Sequence, residues 1–153
     1  MHSVTLITKL TLILFVAFEL RVECARLGTG KIYRSVKTID RLLEIVSENY
    51  GKSIFVEFIG SLREDGESWC PDCRRAEPIV KSALYELPEN AVFVVVEVGD
   101  RDAWKSSSNP FRRNKACDIK SIPTIIQFGT NKRLSDEDVE CREKIVNLFK
   151  EVS

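Results

Sequence analysis

The chain has 153 residues, which is room for one domain of ordinary size. Lys plus Arg is 23 and Asp plus Glu is 23, and this zero net charge removes the electrostatic case for binding nucleic acid. The one histidine is His2, so an imidazole triad, a Cys-His pair or a histidine zinc site lacks its building blocks, and five cysteines remain as the soft nucleophiles.

The chain begins with a short segment ending at Lys9, followed by nine uncharged residues from Leu10 to Phe18. A stable membrane anchor needs about 20 apolar residues, so this run predicts none. It has the length of a signal-peptide core, with Val22 and Cys24 at tolerable positions for cleavage before Ala25. Residues 1–24 therefore read as a signal peptide that directs the chain to the secretory pathway, and 25–153 as a single domain.

Lys31 to Val36 is a short predicted strand. Ile39, Leu42, Leu43, Val46 and Tyr50 recur at helical spacing, with Thr38 as N-cap and Gly51 just past the end. Ser53 to Ile59 is β-branched and aromatic, as a central strand is, and Gly60 to Ser68 is a polar loop. A helix is expected from Cys70 to Leu87, interrupted by Pro78. Ala91 to Val98 is the most strand-like run in the chain. Gly99 to Pro110 reads as a long polar loop holding Trp104, either a rim residue or a loop anchor, and Phe111 to Ala116 as a short helix. Thr124 to Phe128 and Lys132 to Leu134 predict a hairpin around Gly129-Thr130-Asn131. Ser135 with Asp138 resembles a capping box, opening a last helix with Val139, Cys141, Ile145, Leu148, Phe149 and Val152 on its apolar face. Strands alternating with helices imply a layered α/β domain with helices on both faces of a sheet.

The chemistry sits at Trp69-Cys70-Pro71-Asp72-Cys73. Two thiols separated by two residues at a helix start can close a disulfide without large backbone movement. The first lies at the exposed helix end, where unpaired N–H groups favour a thiolate. Pro71 fixes φ in the first turn. Asp72 sets a negative charge between the sulfurs, which opposes ionisation of Cys70 and favours a reducing couple. A structural zinc site would need two further ligands. Cys117 and Cys141, with 23 residues between them and no histidine nearby, form no second knuckle, so no metal is expected.

From about Lys31 to Lys150 the chain resembles the thioredoxin superfamily, and within it the thioredoxin domain-containing protein 17 (Clot-type) family. The residues that carry the resemblance are Trp69-Cys70-Pro71-Asp72-Cys73, Ala76-Glu77-Pro78, Trp104-Lys105, Phe111-Arg112 and Ile122-Pro123-Thr124. The resemblance implies a thioredoxin-like fold with a central mixed sheet, a helix-kinking Pro78, and a cis-proline at Ile122-Pro123 that presents a backbone edge to substrate. It implies a monomeric protein-disulfide reductase in which Cys70 attacks and Cys73 resolves, closing a Cys70–Cys73 disulfide. Its substrates would be disulfide-containing small molecules or proteins. No bound cofactor is implied; electrons would come from a thioredoxin reductase or another thiol donor. The alternative is a binding or regulatory module whose disulfide is structural. The family is typically cytosolic, which opposes the signal-peptide reading of residues 1–24.

Glu57 sits where thioredoxins carry a buried acid that helps deprotonate the resolving cysteine, although this sub-family often lacks one. A carboxylate in a buried strand is costly unless it is used or paired. Glu57 is thus either a proton acceptor or a residue paired at a strand end. The loop Gly60 to Ser68 either reshapes the docking surface or is a tolerated insertion. Cys141 is expected to be a buried free thiol, and Cys117 to be regulatory or without a role.

Overall fold

Residues 30–151 are described by a computed structural model; the predicted signal segment 1–24 and Val152 lie outside them. Five strands, β1 (Lys31–Val36), β2 (Ser53–Ile59), β3 (Ala91–Glu97), β4 (Thr124–Gln127) and β5 (Arg133–Ser135), form one sheet in the order β1-β3-β2-β4-β5. β1 and β2 run parallel to β3, and β4 runs antiparallel to β2 and β5, so the sheet is mixed. Central strands covered on both faces must be apolar almost throughout, and β3 (Ala-Val-Phe-Val-Val-Val-Glu) is buried along its whole length.

The side-chain alternation of β2 and β3 feeds two cores. Ile54, Val56 and Phe58 join Val92, Val94 and Val96 on one face. There they meet Leu42 and Ile45 of helix α1 (Ile39–Glu48). Phe55 and Phe93 point to the other face, against Ala76, Val80 and Ala83 of α2 (Pro71–Ala83) and the last helix. Phe149 centres this second core, its ring 4.9 Å from Phe55 and 6.0 Å from Phe93. Burying each such ring contributes about 1.5–3 kcal/mol. Glu57 belongs to the same side of β2 as Phe55, so a carboxylate is pointed under α2.

Thr38 caps α1 as its sequence position predicts, its Oγ1 accepting from the Arg41 amide at 3.2 Å. The helix stops at Glu48, however, so Tyr50 falls past the C-cap and is 95% exposed rather than on the apolar face. α2 ends at Ala83 and tightens into a 3-10 turn, Leu84–Glu86. The stretch expected to be a continuous polar loop contains a five-residue helix, α3 (Arg101–Lys105), capped by Asp100 accepting from the Ala103 amide at 2.8 Å. It buries Trp104, which anchors this segment to the α1-side core. α4 spans Pro110–Arg113.

The start of the last helix also departs from expectation. Ser135 makes no side-chain cap; a 3-10 stretch, Asp136–Glu140, follows it, and α5 begins at Arg142 (Arg142–Lys150). Changing from three to 3.6 residues per turn shifts the helical phase. Cys141 consequently becomes the N-cap, half-buried, with its Sγ donating to Glu143 Oε2 at 3.4 Å, and is not a core thiol. Among the described residues no helix is long and apolar enough to cross a membrane.

β1 carries one irregularity. Tyr33 pairs with Val94 and Val36 with Val96, so Arg34 and Ser35 together span the single residue Val95. Ser35 takes φ 58° to make this bulge, a left-handed conformation uncommon for a residue with a Cβ.

Candidate active site

Cys70 is the N-cap of α2, with extended backbone at φ −81° and ψ 116°, and Pro71 takes the first helical position, where a missing N–H costs nothing. The Cys73 amide donates to Cys70 Sγ at 3.3 Å, so the sulfur occupies the place of a capping oxygen. Cys70 Sγ also contacts the Ile122 carbonyl at 3.8 Å, and the Ile122–Pro123 peptide bond is cis. Both cysteines are free thiols in this structure.

The approach to the helix is held by the loop before it. The Cys70 amide donates to Ser68 Oγ at 3.2 Å, and Ser68 Oγ in turn donates to the Gly60 carbonyl at 2.7 Å. Trp69 Nε1 donates to the Gly99 carbonyl at 2.8 Å, with the Arg101 guanidinium 5.7 Å from its ring. A Cβ on Gly60 would lie 2.7 Å from Trp69 Cε2, so glycine is what allows the indole to sit there. Residues 60–68 themselves form a miniature hairpin, Arg63 N donating to the Glu67 carbonyl at 2.8 Å across a turn with Gly66 at φ 80°.

Exposure does not distinguish the two thiols, contrary to the expectation that Cys70 is the open one: Cys70 is 4% and Cys73 3% exposed. Hydrogen bonding and charge do distinguish them. The Cys73 thiol donates to Cys70, and with the amides of Cys73 and Asp72 it outweighs burial and the Asp72 charge, bringing Cys70 down to about 7. Cys73 is pushed strongly up, by its bond to Cys70, by burial and by the charges of Cys70 and Glu57. The opposing effect of Asp72 is the smallest of these on Cys70, because the carboxylate is exposed and its Oδ1 accepts from Arg75 Nη2 at 2.8 Å. Cys117, fully buried among apolar side chains, is raised to about 11 and is no thiolate at neutral pH.

Behind Cys73 lies a cavity of about 110 Å³ that also exposes Glu57, Glu77, Lys81, Arg34 and Glu97. Glu57 is 6% exposed and has no hydrogen bond from any described residue; burial raises its carboxyl to about 7. The strand-end pairing considered for Glu57 is thus not what the structure contains. Leu62, Gly66 and Ser68 wall the cavity, so the loop before the dithiol bears on the Glu57 side as well as on the substrate side. Glu77 stands in the Ala76-Glu77-Pro78 motif, but the sequence assigns no place beside Glu57 to it, to Arg34 or to Lys81. The i, i+4 spacing of Glu77 and Lys81 signals a helix pair, here 2.6 Å apart, but nothing local to Arg34 signals its place.

The thioredoxin domain of thioredoxin domain-containing protein 17-like proteins matches residues 32–151. The chain is 38% identical over 117 residues to thioredoxin domain-containing protein 17 of Danio rerio, covering 76% of this chain and 94% of that one. It is 35% identical to the Homo sapiens protein of that name, with the same coverage. Thioredoxin-like protein Clot of Arabidopsis thaliana is 27% identical over 126 residues, 78% of this chain and 94% of its own. Among solved structures, the reduced thioredoxin pre-protein of Schistosoma mansoni superposes with a TM-score of 0.52 at 19% identity, covering 79% of this chain and 97% of that one, which shows a shared fold.

Proposed function

The chain belongs to the thioredoxin domain-containing protein 17-like family, whose fold is that of thiol–disulfide oxidoreductases, and we propose that it is a disulfide reductase working through Cys70 and Cys73. The observation that carries the reading is the unequal pair: a Cys70 sulfur held by the Cys73 amide at the start of α2, next to a Cys73 that keeps its proton.

The Cys70 thiolate attacks one sulfur of a substrate disulfide; the S–S bond breaks, and the departing thiolate takes a proton from water. This leaves a mixed disulfide on Cys70. Cys73 then gives its proton to the Glu57 carboxylate and attacks Cys70 Sγ, expelling the second substrate thiolate and closing the Cys70–Cys73 disulfide. The substrate gains two electrons and the protein loses two. A thioredoxin reductase or another dithiol donor restores the pair. Trp69 and the Ile122-Pro123 edge flank Cys70 and are the surfaces a substrate disulfide would meet.

The test is reduction of insulin disulfides and of cystine by the purified domain, with thioredoxin reductase or dithiothreitol supplying electrons. Turnover above a blank lacking both cysteines is expected; no turnover on either substrate would leave a binding module. Redox poise is a second check. With Cys70 near 7, as in thioredoxin, a couple towards the reducing end is expected, close to the roughly −270 mV of thioredoxin rather than the roughly −120 mV of the oxidant DsbA. Asp72→His should move it in the oxidising direction, because a partly cationic neighbour stabilises the thiolate and so the reduced form. The shift should be modest, roughly 30 mV or less, since Asp72 is exposed and already paired with Arg75. A glutathione titration followed by tryptophan fluorescence measures both, and a mutant shifted to more reducing values would contradict the assignment.

A further inference from the structure

We propose that Arg34, which follows Tyr33 in the register of β1 and lines the Glu57 cavity, is a positioning residue that holds Glu57 in its ionised, proton-accepting form. The inference rests on the reading of Glu57 as acceptor from Cys73 and names what tunes it.

A regular strand would send Arg34 and Ser35 to opposite faces of the sheet. The bulge instead lets Tyr33 and Val36 pack on the α1-side core while Arg34 and Ser35 both line the cavity beneath α2. The bulge adds Ser35 to the lining beside Arg34 and returns Val36 to the core, and Ser35 bears the left-handed backbone that it requires.

The charged and titratable groups that face Glu57 can be taken element by element. From α2 come Cys73, Glu77 and Lys81, the last two joined as an ion pair at 2.6 Å whose charges largely cancel. From β3 comes Glu97, whose Oε2 lies 3.7 Å from Lys37 Nζ and accepts from the Leu62 amide. From β1 comes Arg34. Among the described residues it has no carboxylate within ion-pair distance, so its charge is the one left to act on Glu57. It is also the strongest of the charge effects on that carboxyl. The cavity has room for several waters, and so offers the proton a way out past Arg34 that does not cross the substrate face.

The experiment is the pH dependence of the resolving step, followed in single turnover as release of the second substrate thiol so that ionisation of Cys70 does not enter, for the wild type, Arg34→Met, Arg34→Lys, Glu77→Gln and Glu57→Gln, and for Arg34→Met combined with Glu57→Gln. Losing the Arg34 charge should move the rising limb near pH 7 upward by about half a pH unit, roughly threefold in rate on the limb, and less at high salt because Arg34 is exposed. Arg34→Lys should restore the limb. Glu77→Gln should move it downward, since Lys81 then acts unopposed, a sign reversal that mere damage to the fold would not produce. With Glu57→Gln already in place, Arg34→Met should shift nothing. A limb unmoved by Arg34→Met, in a protein whose limb is abolished by Glu57→Gln, overturns this inference alone. A limb that survives Glu57→Gln overturns the acceptor reading and this inference with it.

Discussion

Cys70→Ser should abolish disulfide reduction, whereas Cys73→Ser should still attack substrate once and then stall as a mixed disulfide on Cys70. The asymmetry follows from the hydrogen bonds around the two sulfurs and not from their exposure, which is nearly equal. Cys70 Sγ accepts the Cys73 amide at 3.3 Å and is brought down to about 7, so roughly half of it is thiolate at neutral pH. Cys73 is raised by its bond to Cys70 and by burial, and cannot attack before Cys70 has been consumed. In Cys73→Ser the hydroxyl still donates to Cys70, so the attacking thiolate is largely preserved, and only the resolving step is lost. Turnover should therefore fall in both variants by three orders of magnitude or more, as expected when a nucleophile is removed. Incubation with a disulfide substrate followed by intact-mass measurement should show one adduct per chain for Cys73→Ser, mapped to the peptide carrying Cys70, and none for Cys70→Ser. An adduct on Cys73 in the Cys70→Ser protein, with none on Cys70 in the other, would reverse the roles of attacker and resolver.

What could be read from the chain and what could not divides by the range of the information. Trp69-Cys70-Pro71-Asp72-Cys73 is local: five successive residues fix the sulfur at a helix cap, and the helix starts at Pro71 as the motif requires. β2 and β3 were equally legible, because strands buried on both faces must be apolar almost throughout. The misses arise where the period changes or the element is too short to have one. Cys141 and Ile145 share a face only if the helix is continuous, and the 3-10 turn before α5 breaks that phase. α3 has five residues, fewer than two turns, and its polar sequence shows a cap at Asp100 but no stripe. Tyr50 misled because the pattern ran past the residue at which the backbone leaves the helix. The surroundings of Glu57 were illegible for a different reason. Arg34, Glu77 and Glu97 line its cavity from three elements distant in the chain, a proximity that no run of residue types announces.

Glu57→Gln should make the protein more stable and less active, and both effects should depend on pH in a defined sense. The folded carboxyl sits at about 7 against an ordinary 4.5, because burial disfavours its charge. The fold therefore binds this proton more tightly than the unfolded chain does. Its stabilising contribution is complete below about pH 4.5 and is lost progressively as the pH rises through 7. At about 1.4 kcal/mol per pH unit, the ionised carboxylate costs the wild type on the order of 3 kcal/mol at pH 8. Glutamine keeps the shape without the charge, so the variant should exceed the wild type by an amount of this order at pH 8 and by little at pH 4. Urea unfolding at the two values measures the difference, and an equal gap at both would show that packing, not ionisation, is responsible. Turnover should move the other way. Above pH 7 the wild type offers Cys73 a carboxylate to take its proton, and the amide offers none, so resolution of the mixed disulfide should be roughly ten- to a hundredfold slower in the variant and should lose its rising limb. A core carboxylate that weakens the fold at the pH where it is used is the expected mark of a group kept for chemistry. If Glu57→Gln gained stability at pH 8 while keeping the wild-type pH–rate profile, the charge would be a burden without a use, and the proton of Cys73 would have to leave by another route.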